Sequence, residues 1–499
     1  MPTAGKKAKS IKSGAIKMEK VIFKRAALSA AVVAALVAPG MALAAQDMMS
    51  PEYGQSYETF VKDSKLTGGL FYFQRDRQRI DGDPTAAKKE GKYQSNLSHS
   101  TVQAALNFNS GYAWDTVGLD LGGFGAYDLA VTENHPVNQE NEFSFAGRSW
   151  GNNAKDGSPE GGFSLSNAAM KLKFLDGGIT AKGGYTQLYV PGQIGVNWSY
   201  QPGTYRGGQV EGNFGGLYLT YAIADEYKAP WYKETQVFSR AKAWMDPFAD
   251  ENVIDYIHGI AARYTFENGT AVTGSFGQSE GYMDSYHFKL AHKFDVLGGL
   301  STSYQFYGSE TETYTKGASQ IETYDGLAWQ QALTAAWGMG PYGFRLEGLW
   351  TKAEGAEGNY LPRLTRGYAN SQGANEIWWD SRSDWNANNE KALFFGVTRS
   401  LDDLVGAPGW SVGVSGAYGW DIETGQGKKA ANGEDTEWAA NFDVTYTVQD
   451  GKLKGTLFKL HYTDYNNDIS QGGGWTDYPN IFASEHDVKF HIIMPLTFM

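Results

Sequence analysis

Near the C-terminus one face of the chain is apolar at every second position. Val488, Phe490, Ile492, Met494, Leu496 and Phe498 alternate with Lys489, His491, Ile493, Pro495 and Thr497, which are mostly polar. A period of two with one apolar face describes a β-strand that has an apolar medium on one side and water on the other. The same alternation recurs upstream, joined by short turns. Phe442, Val444, Tyr446 and Val448 run into Asp450-Gly451, after which Thr456, Phe458, Leu460 and Tyr462 form the next face. Met170, Leu172 and Phe174 precede Asp176-Gly177-Gly178, and Ile179, Ala181, Gly183 and Tyr185 follow. Ala262, Tyr264 and Phe266 lead through Asn268-Gly269 to Val272, Gly274 and Phe276. Asn-Gly and Asp-Gly supply the positive backbone angles that tight hairpins need.

Read this way, the chain predicts strands at 66–77, 96–109, 114–130, 165–175, 179–190, 207–214, 217–226, 253–266 and 270–281. Further strands are predicted at 285–294, 300–310, 327–337, 342–353, 391–399, 410–421, 438–448, 454–465 and 485–499. Short turns alternate with long, polar, Trp- and Asn-rich connections. An even strand number puts both termini in the periplasm and makes 131–164, 191–206, 227–252, 354–390 and 466–484 external loops. The predicted fold is all-β: residues 66–499 form a transmembrane antiparallel β-barrel of about 18 strands, with short periplasmic turns and long extracellular loops. A barrel of that size leaves an aqueous lumen, so passive diffusion is the expected mode of action.

The N-terminus sets the compartment. From Met18 a basic stretch (Lys20, Lys24, Arg25) is followed by an apolar run from Ala26 to Val37, a break at Pro39-Gly40, and Ala42-Leu43-Ala44. That is a signal peptide with a small-x-small cleavage site. Residues 1–44 are read as an N-terminal extension and signal peptide that is removed, and 45–65 as a periplasmic N-terminal segment. Composition agrees with a barrel. Mean hydropathy is −0.43, yet aromatics make up 14% of the chain, glycines number 62 and cysteine is absent. Lipid-facing and water-facing residues average out in a barrel, and beyond the signal nothing approaches the roughly 20 apolar residues of a membrane helix. A cysteine-free chain avoids disulfides while it crosses an oxidising periplasm. The net charge of −12 argues against nucleic acid as a partner.

Residues out of phase with the apolar face point into the lumen. They include Lys171, Lys173, Lys182, Arg263, Lys289, Lys293, Arg345, Glu347, Lys459 and His461. They are either ordinary wetted wall or a charged ladder that sets selectivity. The long loops hold the candidate substrate-binding residues. Trp198, Tyr200 and Tyr205 fall between Asn197 and Arg206, and Trp231 ends the run from Glu226. Trp378, Trp379 and Trp385 are interleaved with Asp380, Arg382 and Asp384 between Ile377 and Asn386. The apolar C–H faces of pyranose rings stack on aromatics, while Asp, Asn and Arg hydrogen-bond the equatorial groups, so this mixture suits a sugar. Aromatics within strands, such as Trp337 and Trp350, read instead as interfacial girdles. The histidines lack metal-ligand spacing, His287 and His292 falling on opposite faces of one strand. No phosphate-binding loop follows a strand, so no metal or cofactor is expected. Asp380 and Asp384 have the residue type of a glycosidase pair, but among Ser, Arg and Asn they read as sugar ligands or partners of Arg382. No catalytic residue is expected.

Several stretches carry a resemblance. They are Asp63 to Gly69, Asn96 to Thr101, Pro202 to Tyr205, Glu226 to Trp231, Thr302 to Gly308, Ile377 to Asn386 and Asp487 to Phe490. In these loops and strands the chain resembles the enterobacterial chitoporin branch of the OprD-like specific porins. The resemblance implies a barrel of about 18 strands in the outer membrane of a Gram-negative bacterium, working as a monomer, with a trimer left open. It implies uptake of chitooligosaccharides, with outer-membrane lipid, lipopolysaccharide and the barrel-assembly machinery as further partners. Other OprD-like porins pass basic amino acids or small carboxylates, which makes a charged small solute the alternative cargo. Departures lie in 131–164 and 422–437, so the preferred oligosaccharide length stays open.

Overall fold

The computed structural model describes residues 57–80, 93–94, 98–131, 161–196, 199–241, 249–316, 319–366, 373–406, 408–429, 433–469 and 484–498. A short helix, α1 (Tyr57–Lys62), precedes the wall and meets the first periplasmic turn through Gly111 N–H to Phe60 O at 2.9 Å. Eighteen strands then form one closed antiparallel barrel. They begin with β1 (Lys65–Ile80), β2 (His99–Asn109), β3 (Val117–Val131), β4 (Gly161–Phe174), β5 (Ile179–Thr186) and β6 (Thr204–Phe214). Next come β7 (Leu217–Lys228), β8 (Ile257–Thr265), β9 (Ala271–Ser279), β10 (Met283–Phe294), β11 (Leu300–Thr311) and β12 (Ala328–Met339). The wall ends with β13 (Tyr342–Lys352), β14 (Lys391–Ser400), β15 (Trp410–Trp420), β16 (Glu437–Thr447), β17 (Leu457–Asn467) and β18 (Glu485–Thr497).

Closure is made by β1, which places Phe73 opposite Thr101 of β2 on one side and opposite His491 of β18 on the other. No sheet edge is left to lipid, which is the condition for a β-structure to cross a bilayer. Alternation does the rest. Leu106, Leu121, Leu219, Phe288, Leu333, Phe395, Val414, Phe442 and Leu460 are exposed on the outer face. Trp350 and Trp337 stand outside near opposite ends of the wall, against Trp329 and Phe344 respectively. The Asn268-Gly269 turn forms as its sequence predicts, with Gly269 at φ 78° and Phe266 N–H bonded to Thr270 O at 2.8 Å.

The predicted strands match the wall one for one, with ends that differ by up to four residues, as at β4, β5 and β8. The difference at β5 is the informative one. This strand ends at Thr186 rather than at 190, and the chain then turns inward through a Val190–Ile194 bridge. The reason is visible in what this segment buries. Leu188, Val190 and Ile194 join one apolar cluster with Tyr205, Tyr227, Trp231, Phe238, Tyr360, Trp379 and Trp385. These residues come largely from the connections after β5, β7 and β13, so the packed core of this molecule lies inside the barrel.

Candidate functional site

Among the described residues, the connection between β13 and β14 makes many contacts with the inward faces of the wall. Its segment from Asn375 to Trp385 lies along the inward faces of most strands from β10 to β18. Glu376 pairs with Lys289 of β10, and its backbone N–H donates to Tyr307 Oη of β11 at 3.2 Å. The Trp379 indole N–H donates to Glu347 Oε2 of β13 at 2.7 Å, and its ring stacks on Phe394 of β14 with centroids 5.2 Å apart. Asp380 accepts from Lys489 of β18 and, at 3.3 Å, from Lys459 of β17, with His461 Nε2 3.5 Å away. Burial alone would raise the Asp380 carboxyl, but Lys489, His461 and Lys459 outweigh it and hold the group well below the ordinary carboxylate value.

The turn that follows is strained. Arg382, Ser383 and Trp385 all have left-handed φ, at 48°, 65° and 54°, a conformation that costs a non-glycine residue about 1–3 kcal/mol and persists only where side chains over-determine it. Here they do. Arg382 Nε lies 2.6 Å from Glu485 Oε1, Ser383 Oγ donates to Glu437 Oε1 at 2.9 Å, and Trp385 meets Tyr465 edge to face.

A second inward loop follows β5. Gln193 Nε2 donates to Ser275 Oγ of β9 at 3.1 Å, and Ser275 Oγ donates to Pro191 O at 2.6 Å. At the other end Tyr200 crosses to the seam of the barrel. Its ring stacks on Phe71 at 4.9 Å, and its hydroxyl donates to Tyr72 O at 2.9 Å and lies 2.9 Å from His491 Nδ1. The two loops touch where a Cβ on Gly195 would come within 2.6 Å of Gly373 O. Together they narrow the lumen from two sides.

Most of the predicted pore-lining residues are answered by opposite charge. Lys171 pairs with Asp120 at 2.6 Å and Lys173 with Asp115. Arg345 makes a two-pronged contact with Glu347 at 2.6 and 2.9 Å. Lys182 is buried beside Gln187 O, and Arg263 sits 5.0 Å over the Tyr218 ring, whose hydroxyl donates to Glu211. Sequence reasoning missed the seam. Arg75 clasps Asp487 through two 3.0 Å bonds, and Arg77 lies 3.4 Å from Glu485 and 3.6 Å from Asp487. Their signal was available, since Arg75 and Arg77 share the phase of Phe71 and Phe73.

The predicted aromatics divide sharply. Trp378 is 66% exposed, with its carbonyl accepting from Arg345 Nη2 at 3.1 Å. Trp231, Trp379 and Trp385 are 1%, 3% and 2% exposed, so their ring faces are taken up by protein. Tyr205 is likewise buried, against Tyr227 and with its hydroxyl on Gly195 O. Asp384 is exposed, with Arg363 and Arg382 as its charged neighbours. Trp198 lies outside the described residues.

Comparison with known proteins covers most of the chain. The model for the outer membrane porin family OprD matches residues 58–477. The chitoporin of Escherichia coli (strain K12) is 42% identical over 461 residues, which cover 88% of this chain and 93% of that protein. Among solved structures, Pseudomonas aeruginosa OccK9 (OpdG) superposes with a TM-score of 0.65 at 17% identity, covering 88% of this chain and 100% of its own. Pseudomonas aeruginosa OpdK with vanillate gives 0.64 at 18% identity, with the same coverage. At these identities the two structures establish the fold.

Proposed function

The chain belongs to the OprD family of outer membrane porins, and from that membership we propose that it admits chitooligosaccharides to the periplasm by facilitated diffusion. It is an outer-membrane channel; the cargo, β-1,4-linked N-acetylglucosamine oligomers, is the inferred part. The observation that carries it is the pairing of charge in the narrowed lumen. Lys171, Lys173, Lys289, Arg345, Lys459 and Lys489 each face a carboxylate. A neutral chain of hydroxyl and acetamido groups needs many hydrogen-bond partners and no net field. Basic amino acids or other small charged solutes, the alternative cargo, are better served by unpaired charge of one sign.

Trp378 is the aromatic offered to a sugar face, with Arg345 and Glu347 beside it to bond ring substituents and Asp384 further along the same loop. One stacking contact of about 1 kcal/mol suffices, because a channel must bind loosely enough to release. Tyr200, Tyr205, Trp231, Trp379, Asp380, Arg382 and Trp385 serve this passage by holding its walls in place. On this reading the pore works as a monomer in outer-membrane lipid and lipopolysaccharide, inserted by the barrel-assembly machinery, and it passes its cargo without chemical change.

The test is single-channel current across a planar bilayer, with chitohexaose and then maltohexaose added to one side. Interruption by the chitin oligomer alone, with one conductance level per insertion, is expected. Current that neither sugar interrupts would remove the sugar and favour a charged small solute.

A further inference from the structure

The carboxylates that neutralise the wall are not all part of the wall. Lys489 has one wall carboxylate in reach, Asp487 at 3.8 Å, and both oxygens of Asp487 are already engaged by Arg75 at 3.0 Å. Lys459 has Asp443 at 3.1 Å, but Asp443 also faces His461 Nδ1 at 3.0 Å. The counter-ion that both lysines share is Asp380, carried in by the loop between β13 and β14. Around it the charges are closely matched: Arg75, Arg77, Arg382, Lys459 and Lys489 against Asp380, Asp443, Glu485 and Asp487. The side chain of Asp380 retains 23% of its exposure, so it borders the water through which solutes pass.

We propose that Asp380 is a specificity-determining residue that acts as the shared counter-ion of Lys459 and Lys489 and keeps the passage from selecting anions. This rests on the reading of a neutral cargo given above. Its role is electrostatic positioning rather than contact with the sugar. Without its charge two ammonium groups face the passage with a single ion-paired carboxylate each, and the channel becomes a site for anionic solutes such as carboxylated oligosaccharides.

The measurement is the reversal potential in a potassium chloride gradient across a planar bilayer. A unit charge uncovered several ångströms from the ion path in water changes an ion's energy by an amount comparable to RT, with opposite sign for anion and cation. Asp380→Asn is therefore expected to raise the chloride-to-potassium permeability ratio by about three- to tenfold. Asp380→Glu should stay near the parent value, and Lys489→Gln should move the ratio toward potassium. The double variant Asp380→Asn/Lys489→Gln should return to the parent value. A double variant that keeps the Asp380→Asn ratio would show that loop displacement, not charge, is responsible, and would overturn the proposal. So would an unchanged ratio in Asp380→Asn. If Asp380→Asn yields no channel, the direction of Lys489→Gln decides. Chitohexaose block of the parent protein is read separately, and its absence would sink the sugar cargo while leaving the permeability result to stand or fall alone.

Discussion

Trp378 and Trp379 are neighbours in sequence and opposites in environment, so replacing each in turn separates capture of the sugar from support of the pore. Trp379→Ala removes a ring that is 3% exposed, stacked on Phe394 and bonded to Glu347 at 2.7 Å. Emptying a buried tryptophan site costs about 3–5 kcal/mol, and loss of a bond to a charged acceptor about 1.5–3 kcal/mol, part of which water returns. The wall does not bear that cost, because β13 and β14 keep their full ladder from Tyr342–Arg399 to Trp350–Lys391. It falls on the docking of the loop, a local opening rather than unfolding of the barrel. A loss of about 4 kcal/mol moves that equilibrium by nearly three decades. Single-channel recordings should then show a higher, flickering conductance and shorter chitohexaose blocks. Trp378→Ala should leave conductance at the parent level and weaken blocking about fivefold, the equivalent of one lost stacking contact. Trp379→Phe, which keeps the stack and loses the bond, should fall between. Parent-like current and noise in Trp379→Ala would refute the anchoring argument, and parent-like blocking in Trp378→Ala would take that residue out of the sugar path.

Gly192 has φ 72°, and a Cβ there would lie 2.3 Å from His287 Cβ. Gly192→Ala should cost the loop after β5 about 1–3 kcal/mol of docking and raise conductance, while the temperature at which the barrel unfolds on heating in detergent stays put; unchanged conductance would contradict this. Glu390 Oε2 accepts the Ala387 N–H at 2.9 Å, and the carboxyl is buried beside that of Glu437. Burial, and then the neighbouring Glu437, push the Glu390 carboxyl well above its ordinary value. A raised carboxyl means that the docked loop binds a proton the undocked loop releases. Its contribution is therefore complete below the ordinary carboxylate range and is lost as pH rises through the raised value. Current noise should grow with pH in the parent and stay flat in Glu390→Gln; parallel pH profiles for the two proteins would rule this out.

The wall was legible because each strand separates lipid from water, and that contrast writes a period of two into Phe442 to Val448 or Val488 to Phe498. Its inward phase also announced Lys171, Lys289 and Arg345. The interior was not legible, for physical reasons. Alternation continues through Leu188 and Val190, but periodicity cannot tell an apolar side chain facing lipid from one packed in a core inside the lumen. The partners of the wall lysines come from far along the chain, Asp380 lying 109 positions from Lys489. The inward turn is held by left-handed Arg382, Ser383 and Trp385, where no glycine marks the bend. Trp378 and Trp379 offer the same residue type one position apart, so only the fold decides which faces water.

The pairing of charge in this lumen is best understood by what the alternatives would do. An apolar constriction would carry no field, but narrow apolar passages lose their water and close. A constriction lined by unpaired lysines would stay wet and concentrate anions, at the expense of neutral solutes that must displace tightly held water. Ion pairs keep the passage hydrated while their fields cancel beyond a few ångströms. They are not there for stability alone, since well-packed apolar residues often replace buried pairs at no cost. What pairs add is registry: Glu376 on Lys289, Asp380 on Lys459 and Lys489, and Arg382 on Glu485 let the loop dock in one position only. The contacts that neutralise the passage are thus the contacts that shape it. A substitution that breaks one loosens the loop as well as changing selectivity, whereas removing both charges, as in the Asp380→Asn/Lys489→Gln pair, restores the balance of charge without restoring the contact.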